Sequence, residues 1–140
     1  MSIKPETRLT TYLRSKLDPS IFVMKTNNAY ISGPADLYLE GSQGICWVEV
    51  KFIAKPWTKD RSSEKICPTT GWIHQRQWLE RAHSNNVNTA VLVGTGLGKQ
   101  TRAYLLSHPY SFSFLNDPLQ DIPTIAARLK ELCLVLRTNK

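Results

Sequence analysis

Long apolar runs, cysteine and acidic side chains are all scarce in this 140-residue sequence. No apolar stretch approaches the roughly 20 residues of a membrane-spanning helix, so no membrane is expected as a partner. The opening MSIKPETRLT turns polar and helix-like too soon for the apolar centre of a secretory signal, and a soluble cytoplasmic protein is the expectation. Cys46, Cys67 and Cys133 cannot all pair within one chain, and none stands in a C-x-x-C. That speaks against a disulfide framework or a zinc knuckle and leaves buried or incidental thiols. His74, His83 and His108, taken with Cys67, match no common zinc-ligand spacing. Asp and Glu number 11 against 18 Lys and Arg, a formal net charge of +7, which favours a polyanionic partner, most often nucleic acid. With 41% hydrophobic and 21% charged residues the chain is not of disordered composition, and its length suits a single domain over residues 1–140 with its own core.

The order of elements reads as a mixed α/β domain. Pro5 suits a first helical turn, and Leu9, Tyr12, Leu13 and Leu17 form an apolar stripe that Asp18-Pro19 ends. Ile21 to Met24 is a short strand. Gly33-Pro34 punctuates the chain, and Asp36 to Glu40 alternates with Leu37 and Leu39 on one face. Gly41 to Gly44 turns into the strongest strand, Ile45 to Phe52. Residues from Ile53 to Gly71 have no period and form a long loop, of the kind that is often functional. A helix follows from Trp72 to Ser84, stopped by Asn85-Asn86, then a buried strand from Thr89 to Val93 and a further strand from Thr101 to Leu106. Asp121 caps a last helix carrying Ile125, Leu129, Leu132, Cys133 and Leu136 on one side, a C-terminal extension of about 121–137. That stripe serves either a dimer face or the chain's own core. The sheet is expected to hold four to five strands in the order αβββαβ.

Three groups of polar residues stand where apolar ones are expected. In Trp47-Val48-Glu49-Val50-Lys51-Phe52, alternation puts Glu49 and Lys51 on one face and Val48, Val50 and Phe52 on the other. Alone, an E-x-K is the solvated side of an edge strand. Asp36, 13 residues earlier, changes this, because two antiparallel strands joined by the Gly41–Gly44 turn bring Asp36 and Glu49 side by side. Two such carboxylates repel unless a cation lies between them, and oxygen donors suit Mg2+ or Mn2+. At about 100° per residue, Glu6 falls within the Leu9–Leu13–Leu17 stripe of the first helix, although an acid in a first turn also simply favours the helix dipole. Gln75 is the polar residue among Trp72, Trp78, Leu79 and Ala82 on the second helix. It is either a satisfied core amide or a group aimed at a catalytic side chain, a metal-bound water or a phosphate.

The sequence G-P-A-D at Gly33 to Asp36, E-V-K at Glu49 to Lys51 and Q-x-x-W-L at Gln75 to Leu79, with Glu6 on the preceding helix, resembles the PD-(D/E)XK nuclease superfamily. The likeness is greatest to the virus-type replication-repair nucleases (VRR-NUC) and the Holliday junction resolvases, and it spans roughly Glu6 to Val93. One position departs: Ala35 stands directly before the aspartate, and Pro34 comes one place early. The resemblance implies a restriction-endonuclease-like core and metal-dependent hydrolysis of DNA, with branched or four-way junction DNA as substrate. It implies Mg2+ or Mn2+ held by Asp36 and Glu49, with the Val50 carbonyl and Glu6 as further ligands. Lys51 would orient the attacking water or stabilise charge on phosphorus, and Gln75 would position either. Symmetric cutting of a four-way junction would call for a homodimer, and the likeness also suggests a phage or mobile-element source. The alternative of another class is a nucleic-acid-binding or assembly protein that keeps the fold without cleaving.

The surplus of positive charge then has a place. Lys55, Lys59, Arg61 and Lys65, with Trp57 among them, lie on the loop leaving the E-V-K strand, where lysine and arginine would hold phosphates and Trp57 would stack on a base. Lys25 and Asn27-Asn28 precede the aspartate and are also expected to face the substrate. Gly94-Thr-Gly-Leu-Gly-Lys99 lacks the spacing and the following Ser or Thr of a phosphate-binding P-loop, and reads as a hairpin turn.

Overall fold

The computed structural model describes residues 4–26, 35–58 and 71–134. Helix α1 (Pro5–Lys16) starts on its proline, as the sequence suggests, and strands β1 (Phe22–Lys25), β2 (Leu37–Glu40) and β3 (Ile45–Phe52) follow. Helix α2 (Gly71–Ser84) leads into β4 (Asn88–Thr95), β5 (Arg102–Leu106), β6 (Gln120–Asp121) and helix α3 (Ile122–Leu134). The strands form one sheet in sequence order, antiparallel except where β3 and β4 run parallel around the α2 crossover. The fold class is therefore mixed α/β with a sheet flanked by helices, in the expected αβββαβ order.

The sixth strand is an addition to that order. It is two residues long, too short to show a period, and Asp121 both pairs with Arg102 and caps α3 through the Thr124 N–H at 2.9 Å. Asn86, at φ 64°, ends α2 in the left-handed conformation that asparagine tolerates. The glycine segment after β4 is a connection between antiparallel strands, as expected, with a 3-10 turn over Gly98–Gln100 inside it.

The two faces of the sheet bury different clusters. On one, Leu9 and Leu13 of α1, Leu17 at its C-cap, and Ile125, Ala126, Leu129 and Cys133 of α3 meet Leu37, Leu39, Val48, Val50 and Leu92. The α3 stripe thus serves the chain's own core; Leu136, its last member, lies outside the described residues. On the other face, Leu79 of α2 and Trp57 meet Val91, Val93, Tyr104, Leu106 and Tyr110. Both faces of β4 are covered, which explains its nearly unbroken apolar run. Among the described residues no helix is long and apolar enough to cross a membrane.

Gly94 fixes how closely α1 lies on the sheet. A Cβ at this position would collide with the Leu9 side chain, which is itself buried. Gly94→Ala is expected to lower stability by about 1–2 kcal/mol through overpacking, measured as a lower urea midpoint at unchanged slope. An unchanged midpoint would show that Leu9 finds room elsewhere.

Candidate active site

The β2–β3 register decides where the acids stand. Leu37 is opposite Val48 and Tyr38 opposite Trp47, so one step further puts Asp36 opposite Glu49. Alternation sends Tyr38 and Trp47 to the face covered by α2, where their rings lie 4.9 Å apart, and sends Asp36, Glu49 and Lys51 to that face too. The Asp36 carboxylate replaces the next rung of the ladder: its Oδ2 accepts the Val50 N–H at 2.9 Å. The N–H and C=O of one residue leave a strand on the same side, so the Val50 carbonyl also faces the Asp36 edge.

Glu49 is the most unusual residue of the fold. It is 0% exposed, and neither carboxylate oxygen accepts a well-directed hydrogen bond among the described residues. Its one close charge partner is the Lys51 ammonium, 3.0 Å from Oε2, with the lysine side chain 12% exposed. Burial, and then the negative charge of Asp36, push the Glu49 carboxyl up to about 8, while Lys51 pulls the other way. An acid held this way either keeps a proton at neutral pH or needs a positive charge larger than one lysine provides.

Helix α2 adds a second unpaired group above the acids. It runs back against β3, with Trp78 edge-on to Trp47 at 4.8 Å. One turn towards the helix N-terminus is Gln75, and two residues along β3 from Trp47 is Glu49, so the helix carries Gln75 over the acid cluster. The Gln75 Oε1 is buried with no hydrogen-bond partner among the described residues.

Thr95 was not singled out by the sequence, where it is one more β-former in a β-rich run. It lies on the same face as Glu49, two residues beyond the Val93 that pairs with Lys51. Its hydroxyl is buried, at 2% exposure, and also lacks a partner. Glu49, Gln75 and Thr95 carry all the unsatisfied buried side-chain oxygens found among the described residues. All three belong to elements of one sheet face, and buried polar groups without partners call for an explanation other than packing.

Other expected site residues lie differently. Glu6 is exposed in the first turn of α1, on the face of the sheet opposite Glu49. A helical wheel gives its angle but not its height, and the buried part of α1 begins only at Leu9. No ion pair or hydrogen bond joins Glu6 directly to Asp36, Glu49 or Lys51 among the described residues. Trp57 is corrected more sharply. It is 4% exposed, stacked on Tyr104 at 4.8 Å and tilted on Phe112 at 4.6 Å, with its N–H backbone held by the Tyr104 hydroxyl at 3.0 Å. It pins the segment leaving β3 onto the sheet and presents no ring to a base. Lys25 and Lys55 are exposed, at the ends of β1 and just after β3 respectively. Asn27-Asn28, Gly33-Pro34, Lys59, Arg61, Lys65 and Cys67 lie outside the described residues. His83 is half-buried and stacked on His108 at 4.0 Å, lining a separate cavity with Asn88 and Arg128 away from the acids. Cys46 and Cys133 are buried free thiols.

No family model and no curated protein sequence matches this chain. Among solved structures, the chain is similar to Hjc, a Holliday junction resolvase from the archaeal hyperthermophile Archaeoglobus fulgidus. The two share 14% identity, the match covers 89% of this chain and 97% of that one, and the TM-score is 0.49.

The donor set fits a hard divalent cation. Two carboxylates side by side, one of them buried and ion-paired with a lysine, and a backbone carbonyl at the same edge are oxygen ligands of the kind Mg2+ and Mn2+ take, with water completing the shell.

Proposed function

We propose that this protein is a metal-dependent nuclease that hydrolyses DNA phosphodiester bonds at Asp36, Glu49 and Lys51. The observation that carries the reading is Glu49: fully buried, without a well-directed hydrogen bond among the described residues, opposite Asp36 and held by the ion pair with Lys51. A fold gains nothing from such an acid, and replacing the group with an apolar one would relieve it.

Asp36 and Glu49 would hold Mg2+ or Mn2+, with the Val50 carbonyl as a third protein ligand. When bound, the ion supplies charge that polarises the scissile phosphate and lowers the pKa of a water. Asp36 is oriented for this by the Val50 N–H, which fixes one of its oxygens and leaves the other for a ligand. Lys51, tethered 3.0 Å from Glu49, places its ammonium where negative charge grows on the phosphate or where a water must be aimed. The Gln75 oxygen, an acceptor without a donor, would take a hydrogen from that water or from Lys51. The exposed Lys25 and Lys55 flank the cluster along the chain and would hold neighbouring phosphates, as would Lys59, Arg61 and Lys65 of the sequence between β3 and α2.

Branched DNA is the substrate class this reading favours, on the motif resemblance, and a dimer would be required for paired cuts. Four-way junction, flap, nicked, single-stranded and duplex DNAs, incubated with Mg2+, with Mn2+ or with chelator, test it beside light scattering. Cleavage of at least one branched substrate, dependent on the ion, is the expected result. No cleavage of any DNA with either ion, together with retained binding, would replace the enzyme by a nucleic-acid-binding protein that keeps the fold.

A further inference from the structure

We infer that the cleft between α1 and the glycine turn after β4 binds one unstacked nucleobase of the DNA strand held at the acid cluster, an inference that rests on the nuclease reading. The cleft has a volume of about 240 Å3 and is walled by Arg8 and Tyr12 of α1, Phe52 at the end of β3, and Leu97 and Thr101 of the turn. Its size falls below that of clefts for drug-sized ligands, roughly 300–1,000 Å3, and suits a single flat group.

The walls have the chemistry of a base site. Tyr12 and Phe52 are half-buried and contribute aromatic surface to the lining. Arg8 is exposed at the rim, where a guanidinium meets either a base face or a phosphate. Leu97 is 64% exposed on a turn whose flanking Gly96 and Gly98 adopt φ of 85° and 54°. These left-handed glycines carry the chain round so that an apolar side chain stands out in water beside the opening. Aromatic faces with a cationic rim are the combination that holds bases without reading their sequence.

The position makes DNA the occupant. Phe52 follows Lys51 directly and points to the opposite face of the sheet, so the cleft lies around the sheet's end from the acids. A strand with one phosphate at Lys51 that leaves across that end would pass the cleft. Lys55, two residues beyond Ile53, and Lys99 in the turn are both exposed there, in a chain carrying +7 overall. The Gly94–Lys99 sequence, which fails as a P-loop, thereby acquires a use: it forms the outer lip of the cleft.

Equilibrium binding by fluorescence anisotropy, without divalent ion, tests the inference on a set of strands each carrying one abasic nucleotide at successive positions around the cut. One position is expected to weaken binding about tenfold, the loss typical of one stacked base. Leu97→Ala and Arg8→Ala, both at exposed positions that folding does not need, and Tyr12→Ala checked by circular dichroism, are expected to weaken intact DNA. In these variants the same abasic site should cost nothing further. A flat scan from a protein that cuts DNA, or a penalty that survives in all three variants, overturns the base site and leaves the nuclease standing. A protein that neither binds nor cuts any DNA overturns both.

Discussion

Replacing Lys51 with alanine is expected to slow DNA cleavage by about 10³-fold while DNA binding changes less than threefold. The ammonium lies 3.0 Å from Glu49 and is the single cation that the described residues place beside the acid pair. A group that orients a nucleophile or meets developing charge in a shielded site typically contributes 10²–10⁴ in rate. One phosphate-facing charge lost from a protein with 18 Lys and Arg changes equilibrium binding little by comparison. Stability should also change little at neutral pH, because Glu49, with its carboxyl pushed up to about 8, keeps its proton when the partner is gone. Asp36→Ala is expected to act on the same step, with the same separation of rate from binding. The measurements are single-turnover rates with saturating Mg2+, beside anisotropy titrations of uncut substrate. Full activity in either variant would falsify the assignment, since the acid pair and the lysine would then be only structural.

Much of this cluster was legible in the sequence because it rests on period-two alternation. Val48 and Val50 against Glu49 and Lys51 is a pattern that only one strand orientation can satisfy once the core face is chosen. The Gly41–Gly44 turn then sets the register that brings Asp36 opposite Glu49. The Asp121 cap was legible for a similar reason, since a capping side chain acts on the N–H three residues ahead. What was not legible depends on contacts between elements. Trp57 sits in a stretch without period, so nothing local says that Tyr104 and Phe112, some fifty residues later, will sandwich it. Glu6 has the angle of the apolar stripe yet is exposed ahead of Leu9, the first buried residue of α1, because exposure along a helix axis is fixed by docking rather than by sequence spacing. Thr95 is an ordinary strand residue until the parallel β3–β4 pairing sets it beside Lys51's partner, Val93.

The positive excess and the buried acids are two parts of one electrostatic arrangement. Lys25, Lys55 and Lys99 are exposed and screened by water, so on the nuclease reading each would contribute a little to holding a polyanion. Glu49 is shielded from water, and there one misplaced charge costs more than several surface lysines return. The acids therefore set the energetic cost of the site, while on the nuclease reading the lysines would draw in its substrate.

That cost makes Glu49→Gln the most informative substitution: it is expected to abolish cleavage and to stabilise the metal-free protein at pH 8. In the unfolded chain a glutamate loses its proton near the usual 4.5, whereas the buried Glu49 holds it up to about 8. Between those values folding takes up a proton, so this residue's contribution to stability is greatest below pH 4.5 and is lost as pH rises towards 8. Each pH unit in that window is worth about 1.4 kcal/mol. Glutamine carries no proton to recover and fits the same space, so the variant escapes this loss. The attraction of Lys51 is already contained in the value of about 8 and is not subtracted again, so the gain at pH 8 is about 4 kcal/mol, or roughly 10 °C or more in Tm for a chain of this size. At pH 5, barely inside the window, the two proteins should melt within a few degrees of each other. Adding Mg2+ or Mn2+ at pH 8 should close the gap from the other side, raising the wild-type Tm and leaving Glu49→Gln unmoved, because binding to the folded state alone stabilises it. Thermal melts at pH 5 and pH 8, each with and without the ion, separate these terms. A Glu49→Gln protein less stable than wild type at pH 8, or equally stabilised by the ion, would mean that Glu49 is held for packing and that the cation has no place beside it.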